Sequence, residues 1–135
     1  GAFCISMNEM TACGRRDWPA ITQGIFRDYQ WGAEKRNTTL WFDDNFVGTE
    51  LNLGVEYAKI ADGCGVRGVQ VTTIDQLKVE LRESVRLQMA ENVTTFIEVV
   101  LNQELGEPFR RDAMKKPVSV AGIDPADSAS SQVLA

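Results

Sequence analysis

The stretch "VRGVQVTTIDQLKVELRESVRLQMAENVTTFIEVVL", residues 66–101, decides the fold. Its opening, "VRGVQV" (66–71), reads as a strand. Thr73 followed by Gln76 is a capping-box pattern that starts a helix. Ile74, Leu77, Leu81, Val85 and Met89 then recur at helical spacing and are expected to form its buried face. After Asn92 the chain turns into "VTTFIEVVL" (93–101), whose near-continuous apolar character suits a parallel strand covered on both sides. Strand, long helix, strand is the unit of an α/β fold with a parallel sheet.

Upstream, "LGVEYAKIAD" (53–62) reads as a short helix ended by Gly63, and "AITQGIFR" (20–27) as another buried strand. Phe3, Met7 and Met10 lie at helical spacing, so residues 3–16 are expected to be one helix with Arg15 and Arg16 at its C-terminus. Residues 28–50 read as a long loop. Loops of that length inside a compact domain are usually functional or mobile. Its aromatic residues, Trp31, Trp41, Phe42 and Phe46, are expected to pin it by packing. Residues 1–104 form the expected α/β domain, and residues 105–135 an extension ending in a loose tail. With only three strands, one edge of the sheet is expected to lie bare, which favours self-association into a homo-oligomer.

Composition removes several kinds of chemistry. The chain has 135 residues, a net charge of −5 and no histidine. A Ser-His-Asp triad, a Cys-His dyad and a histidine-ligated metal within the chain are therefore excluded. The acidic balance argues against a nucleic-acid binder, whose affinity comes from cationic contacts to phosphates. Three scattered cysteines make neither a disulfide framework nor a CxxC pair. No apolar run approaches a membrane span, and residues 1–15 lack the regions of a signal peptide, so no membrane contact and a cytoplasmic location are expected.

"GCGVRG" (63–68) matches the GxGxxG dinucleotide pattern, but it follows a helix and enters a strand, the reverse of that motif's order. It reads as a helix stop with a tight turn. Asn37 and Asn92 each begin a glycosylation triplet without a secretory context, and Asn92 suits a turn on conformational grounds. Arg110, Arg111, Lys115 and Lys116 are a basic cluster. Such a cluster is most often a solvated face; the sharper reading is an anion site, with Arg110 and Arg111 as forks for phosphate or a sulfonate.

Asp28 stands at the tip of the 20–27 strand, with Gln30 two places on. An acid there is commonly a turn former. The alternative is a Mg²⁺ site, since Mg²⁺ takes a few oxygen ligands from protein together with phosphates. That site needs a second oxygen ligand, naturally from a neighbouring strand tip.

This arrangement resembles the diphosphate-binding domain of thiamine diphosphate enzymes, in which Gly-Asp-Gly ends one strand and an Asn ends the next. Gly1 looks like the last Gly of that motif, with "ISMNE" in the helix after it, and Asp28 stands where the family has Asn. The runs "YQWGAEKRNTTLWFDDNFVGTEL" and "NQELGEPFRRDAMKKPVSVAGIDPAD" are similar to the sulfoacetaldehyde acetyltransferase family over most of residues 1–127. The resemblance implies a three-layer, Rossmann-like parallel sheet, incomplete at its N-terminus, in a C-terminal fragment that is inactive alone. It also implies thiamine diphosphate and Mg²⁺ as cofactors. The metal would be held by the Asp28 side chain and the Gln30 carbonyl, with Gly1, Ala2, Trp31 and Gly32 beside the cofactor in a 31–36 turn. The substrates implied are sulfoacetaldehyde and phosphate, giving acetyl phosphate and sulfite in taurine and sulfonate breakdown. The spacing from the family's absent Asp is one residue long, which admits Arg27 or Asp28 at the Asn position; Asp28 is favoured because Arg cannot ligate a cation. The alternatives are another thiamine diphosphate enzyme, acetohydroxyacid synthase-like, and a non-catalytic α/β binding or assembly module.

Overall fold

The computed structural model describes residues 2–104, with the side chains of Ala2, Leu40 and Trp41 left aside. Three parallel strands form one sheet: β1 (Thr22–Arg27), β2 (Arg67–Val71) and β3 (Thr95–Val100), in the order β1-β3-β2. The register runs from Thr22 opposite Thr95 to Arg27 opposite Val100, and from Arg67 opposite Thr95 to Val71 opposite Val99. As the most apolar strand, β3 takes the centre, and Thr95, Phe96, Ile97 and Glu98 are all buried there. Among the described residues β1 and β2 both lack an outer partner strand, so two edges are open where one was expected.

Successive strand residues face opposite sides. Phe96, Glu98 and Gly68 look toward α4 (Tyr57–Gly63) and the N-terminal turns, where Met10, Ala61, Val66 and Phe96 form the core cluster. A Cβ on Gly68 would stand 1.9 Å from the Ala58 carbonyl oxygen, so α4 rests directly on the strand backbone. Thr22 and Arg67 look the other way, to α5 (Ile74–Glu91), through hydrogen bonds from Thr22 to Gln88 and from Arg67 to Glu80. Helix, sheet and helix make the expected three layers.

Several sequence expectations hold in detail. The Gln76 amide donates to Thr73 Oγ1 (3.2 Å), as in a capping box, although the Gln76 side chain turns to the Thr72 amide rather than back to Thr73. Asn92 caps α5 in the left-handed region (φ 51°), and its side chain accepts from Ala20 N and donates to the carbonyls of Arg16 and Trp18. The 63–68 glycine pattern is a helix end and turn, with Gly65 at φ +82°.

Other expectations fail. Residues 3–16 are not one helix: α1 (Ala2–Ile5), a 3-10 turn (Met7–Glu9) and α2 (Met10–Cys13) follow each other, broken at Ser6. Arg15 and Arg16 lie beyond the last turn, and Arg15 pairs with Asp17. The 28–50 segment contains a helix, α3 (Gly32–Trp41). It has no apolar stripe; the run Ala33, Glu34, Lys35, Arg36 supplies good helix formers, and Thr38 and Thr39 bond back to the carbonyls of Glu34 and Lys35. Within the compact unit that holds residues 33–46, Phe42 is exposed and Phe46 lies under Lys35, so neither is a deep anchor. Lastly, the supposed core face of α5 points outward. Ile74, Leu81, Val85 and Met89 are all exposed, Leu77 is half-buried, and it is Ser84 that is fully buried against the sheet.

Candidate functional site at the strand tips

The C-terminal ends of parallel strands are where an open α/β sheet presents ligand-binding groups. Here the end of β1 carries Arg27 and Asp28, and they go opposite ways. Arg27 is buried (5% exposed), whereas Asp28 is half-buried at the surface. Of the two candidates for the ligand position, Asp28 is the more exposed, while Arg27 is engaged by Glu98 and the Leu53 carbonyl.

Asp28 opens a tight turn. The Gln30 amide donates to its Oδ1 (3.3 Å), and Tyr29 between them is held at φ 60°, a conformation rare outside glycine. Beyond the turn the chain pairs with a second segment: Trp31 N donates to the Thr49 carbonyl (2.8 Å) and Leu51 N to the Tyr29 carbonyl (2.8 Å). These two bonds flank the antiparallel bridge between Gln30 and Glu50 and use neither the amide nor the carbonyl of Gln30. The Gln30 side chain is buried; its Nε2 donates to the Gln103 carbonyl (3.2 Å), and its Oε1 has no partner among the described residues. Gly32 completes the notch. A Cβ there would lie 3.2 Å from Asp28 Oδ2, so a larger residue would make the carboxylate shift by a few tenths of an ångström.

Beneath the turn lies an ion pair that the sequence reading did not anticipate. Arg27 Nη1 donates to Glu98 Oε1 (2.6 Å), with side-chain exposures of 4% and 0%. Arg27 Nη2 donates to the Leu53 carbonyl (2.7 Å), and the guanidinium lies 4.2 Å from the centre of the Tyr29 ring. Glu98 Oε2 accepts from the Ala58 amide (3.0 Å), at the start of α4, and from Gln70 Nε2 (3.4 Å). The signal was present in "TFIEVV": a glutamate inside a buried strand requires a cationic or donor partner.

A cleft of about 300 Å³ opens beside these residues, lined by Phe3, Ile25, Arg27, Asp28, Tyr29 and Tyr57 among others. Tyr57 OH sits 3.4 Å from Cys4 Sγ, and this hydrogen bond, helped by partial burial, pushes the phenol up to about 12. Among the described residues no three His, Cys, Asp or Glu side chains converge to hold a metal. What the strand tip offers a cation is one carboxylate and one backbone carbonyl. That set fits a Mg²⁺ ion taking its remaining oxygens from phosphates and water.

The other sequence candidates divide. The structure brings Asp28, Gln30, Trp31 and Gly32 together, but residues 32–36 begin α3 instead of forming a turn. Ala2 starts α1. Gly1, Arg110 and Arg111, with Lys115 and Lys116, lie outside the described residues. Among the described residues no helix is long and apolar enough to cross a membrane.

Residues 1–99 match the family described as "Thiamine pyrophosphate enzyme, C-terminal TPP binding domain". The chain belongs to this family. The match covers the sheet through most of β3 and includes the Asp28 turn. Curated relatives carry a more specific name. A probable sulfoacetaldehyde acetyltransferase of Rhizobium meliloti (strain 1021) is 70% identical over 127 residues, 94% of this chain and 21% of the relative. Sulfoacetaldehyde acetyltransferases of Roseovarius nubinhibens and Rhodobacter capsulatus are 63% and 65% identical, over 98% and 94% of the chain and 22% and 21% of the relatives. The chain thus spans about a fifth of the length of the relatives it matches.

Proposed function

We propose that this thiamine pyrophosphate enzyme domain contributes the lower half of the Mg²⁺–diphosphate site of a sulfoacetaldehyde acetyltransferase. The observation that carries the reading is the Asp28 carboxylate at the strand tip, half-buried in a tight turn where it accepts from the Gln30 amide and lies close to Gly32. The 63–70% identities to proteins of that name support the reaction assigned. Asp28 and the Gln30 carbonyl would hold Mg²⁺, and Trp31 and Gly32, with Gly1 and Ala2, would lie along the diphosphate. A carboxylate where the family has an amide adds one negative charge near the cation, which favours a divalent ion and opposes the diphosphate directly. Thiamine diphosphate, when bound, supplies the carbon nucleophile for the aldehyde. This chain's part is to seat and orient it.

The reaction proposed converts sulfoacetaldehyde and phosphate into acetyl phosphate and sulfite, as a step in taurine and sulfonate breakdown. Arg110 and Arg111 are proposed to meet the anionic substrate. Residues 1–104 are proposed as the cofactor domain and 105–135 as its extension, in a cytoplasmic homo-oligomer. The two open sheet edges support self-association.

The test is sulfite release from sulfoacetaldehyde by the full-length protein carrying this sequence. Release that requires both phosphate and thiamine diphosphate is expected, while the 135-residue chain alone releases none. Condensation of 2-oxo acids without sulfite release would instead establish an acetohydroxyacid synthase-like enzyme.

A further inference from the structure

The Arg27–Glu98 pair has a feature that stability alone does not explain. Burying two charges costs desolvation, and a well-packed apolar pair of similar volume commonly holds a fold as well or better. What an apolar pair cannot do is direct hydrogen bonds. Arg27 uses its second Nη to grip the Leu53 carbonyl, just past the segment that bridges the Tyr29 turn. The same guanidinium lies 4.2 Å from the centre of the ring of Tyr29, the residue at φ 60° between the two proposed metal ligands. Glu98 holds Arg27 from the centre of the sheet and ties α4 and Gln70 to the same carboxylate.

We infer that Arg27 and Glu98 are positioning residues, whose buried pair holds Tyr29 in its left-handed turn and so sets where Asp28 and the Gln30 carbonyl stand. The inference rests on the metal site proposed above. Loosening the pair would let the turn relax and the two oxygens move apart or rotate. Mg²⁺ demands near-octahedral ligands at short distance, whereas Ca²⁺ tolerates longer and less regular ones. Loss of positioning is therefore read as a change in ion preference, which a general loss of stability does not produce.

The experiment titrates Mg²⁺ and Ca²⁺ separately into the full-length protein with thiamine diphosphate and follows cofactor binding by tryptophan fluorescence. Arg27→Lys keeps the charge but loses the fork that reaches Glu98 and the Leu53 carbonyl from separate nitrogens, and loses the guanidinium beside the Tyr29 ring; Glu98→Gln keeps the shape but loses the charge. Tyr29→Leu removes the ring and leaves the pair intact, so it serves should the pair variants fail to fold. Each folded variant is expected to need about tenfold more Mg²⁺ for half-saturation, with a smaller rise for Ca²⁺. An unchanged Mg²⁺ to Ca²⁺ ratio, with only a lowered melting temperature, would overturn the positioning role. Cofactor binding by the wild type that ignores divalent cations would overturn the metal site itself, and the inference with it.

Discussion

At the tips of the strands two opposite charges are buried, and along α5 five large apolar residues, Val79 among them, are exposed. The usual rule of apolar inside and charged outside is inverted in both places. Arg27 and Glu98 lie inside because each pairs with the other and because Leu53, Ala58 and Gln70 take up the second guanidinium nitrogen and the second carboxylate oxygen, which leaves Arg27 Nε without a partner among the described residues. Ile74, Leu81, Val85 and Met89 lie outside because α5 meets the sheet along an adjoining face, through Ser84, Gln88 and Glu80. Burial here follows which groups find partners, not hydropathy alone.

The sharpest way to break the comparison is Glu98→Ala. It leaves the Arg27 guanidinium buried without its counter-charge and is expected to destabilise the protein by about 3–5 kcal/mol in urea denaturation. A loss below about 1 kcal/mol would mean that water reaches the pair. Gly68→Ala probes the same layer without touching a charge. Its Cβ would meet the Ala58 carbonyl at 1.9 Å, so α4 must shift, at a cost of about 1–3 kcal/mol.

A smaller effect concerns Tyr57, on the wall of the same cleft. Its phenol is raised to about 12 in the folded protein from an unfolded value near 10. The folded state therefore favours the neutral phenol, and the associated stability is full below pH 10 and lost as pH rises through 12. Absorbance titration should show a late-ionising tyrosine component that Tyr57→Phe removes. The smallest effect is expected on α5: Met89→Ala should change stability by no more than about 0.5 kcal/mol. A larger loss in the full-length protein would reveal that something covers this face.

How much of this was legible beforehand depends on what each residue had to satisfy. The three strands, the Thr73 cap and the Asn92 turn were readable because each rests on local chemistry: an apolar run, a hydroxyl acceptor, an amide that accepts the left-handed region. Periodicity also located α5 correctly, yet it could not say which side meets the sheet, because an apolar stripe records that a face is suited to burial and not what buries it. α3 was invisible to the same test, since its sequence Gly32–Trp41 is polar nearly all round. At the site, Asp28 and Gln30 drew notice by position. The Arg27–Glu98 pair did not, because its partners are 71 residues apart and only the strand register brings them together.

The central claim is that the strand-tip acid binds the metal that holds the diphosphate. It is tested most directly by calorimetric titration of the full-length protein with thiamine diphosphate, with and without Mg²⁺, in the wild type, Asp28→Asn and Asp28→Ala. Binding should depend on Mg²⁺, persist in Asp28→Asn, which keeps an oxygen ligand, and fall at least tenfold in Asp28→Ala. Mg²⁺-dependent binding of undiminished affinity in Asp28→Ala would contradict the account.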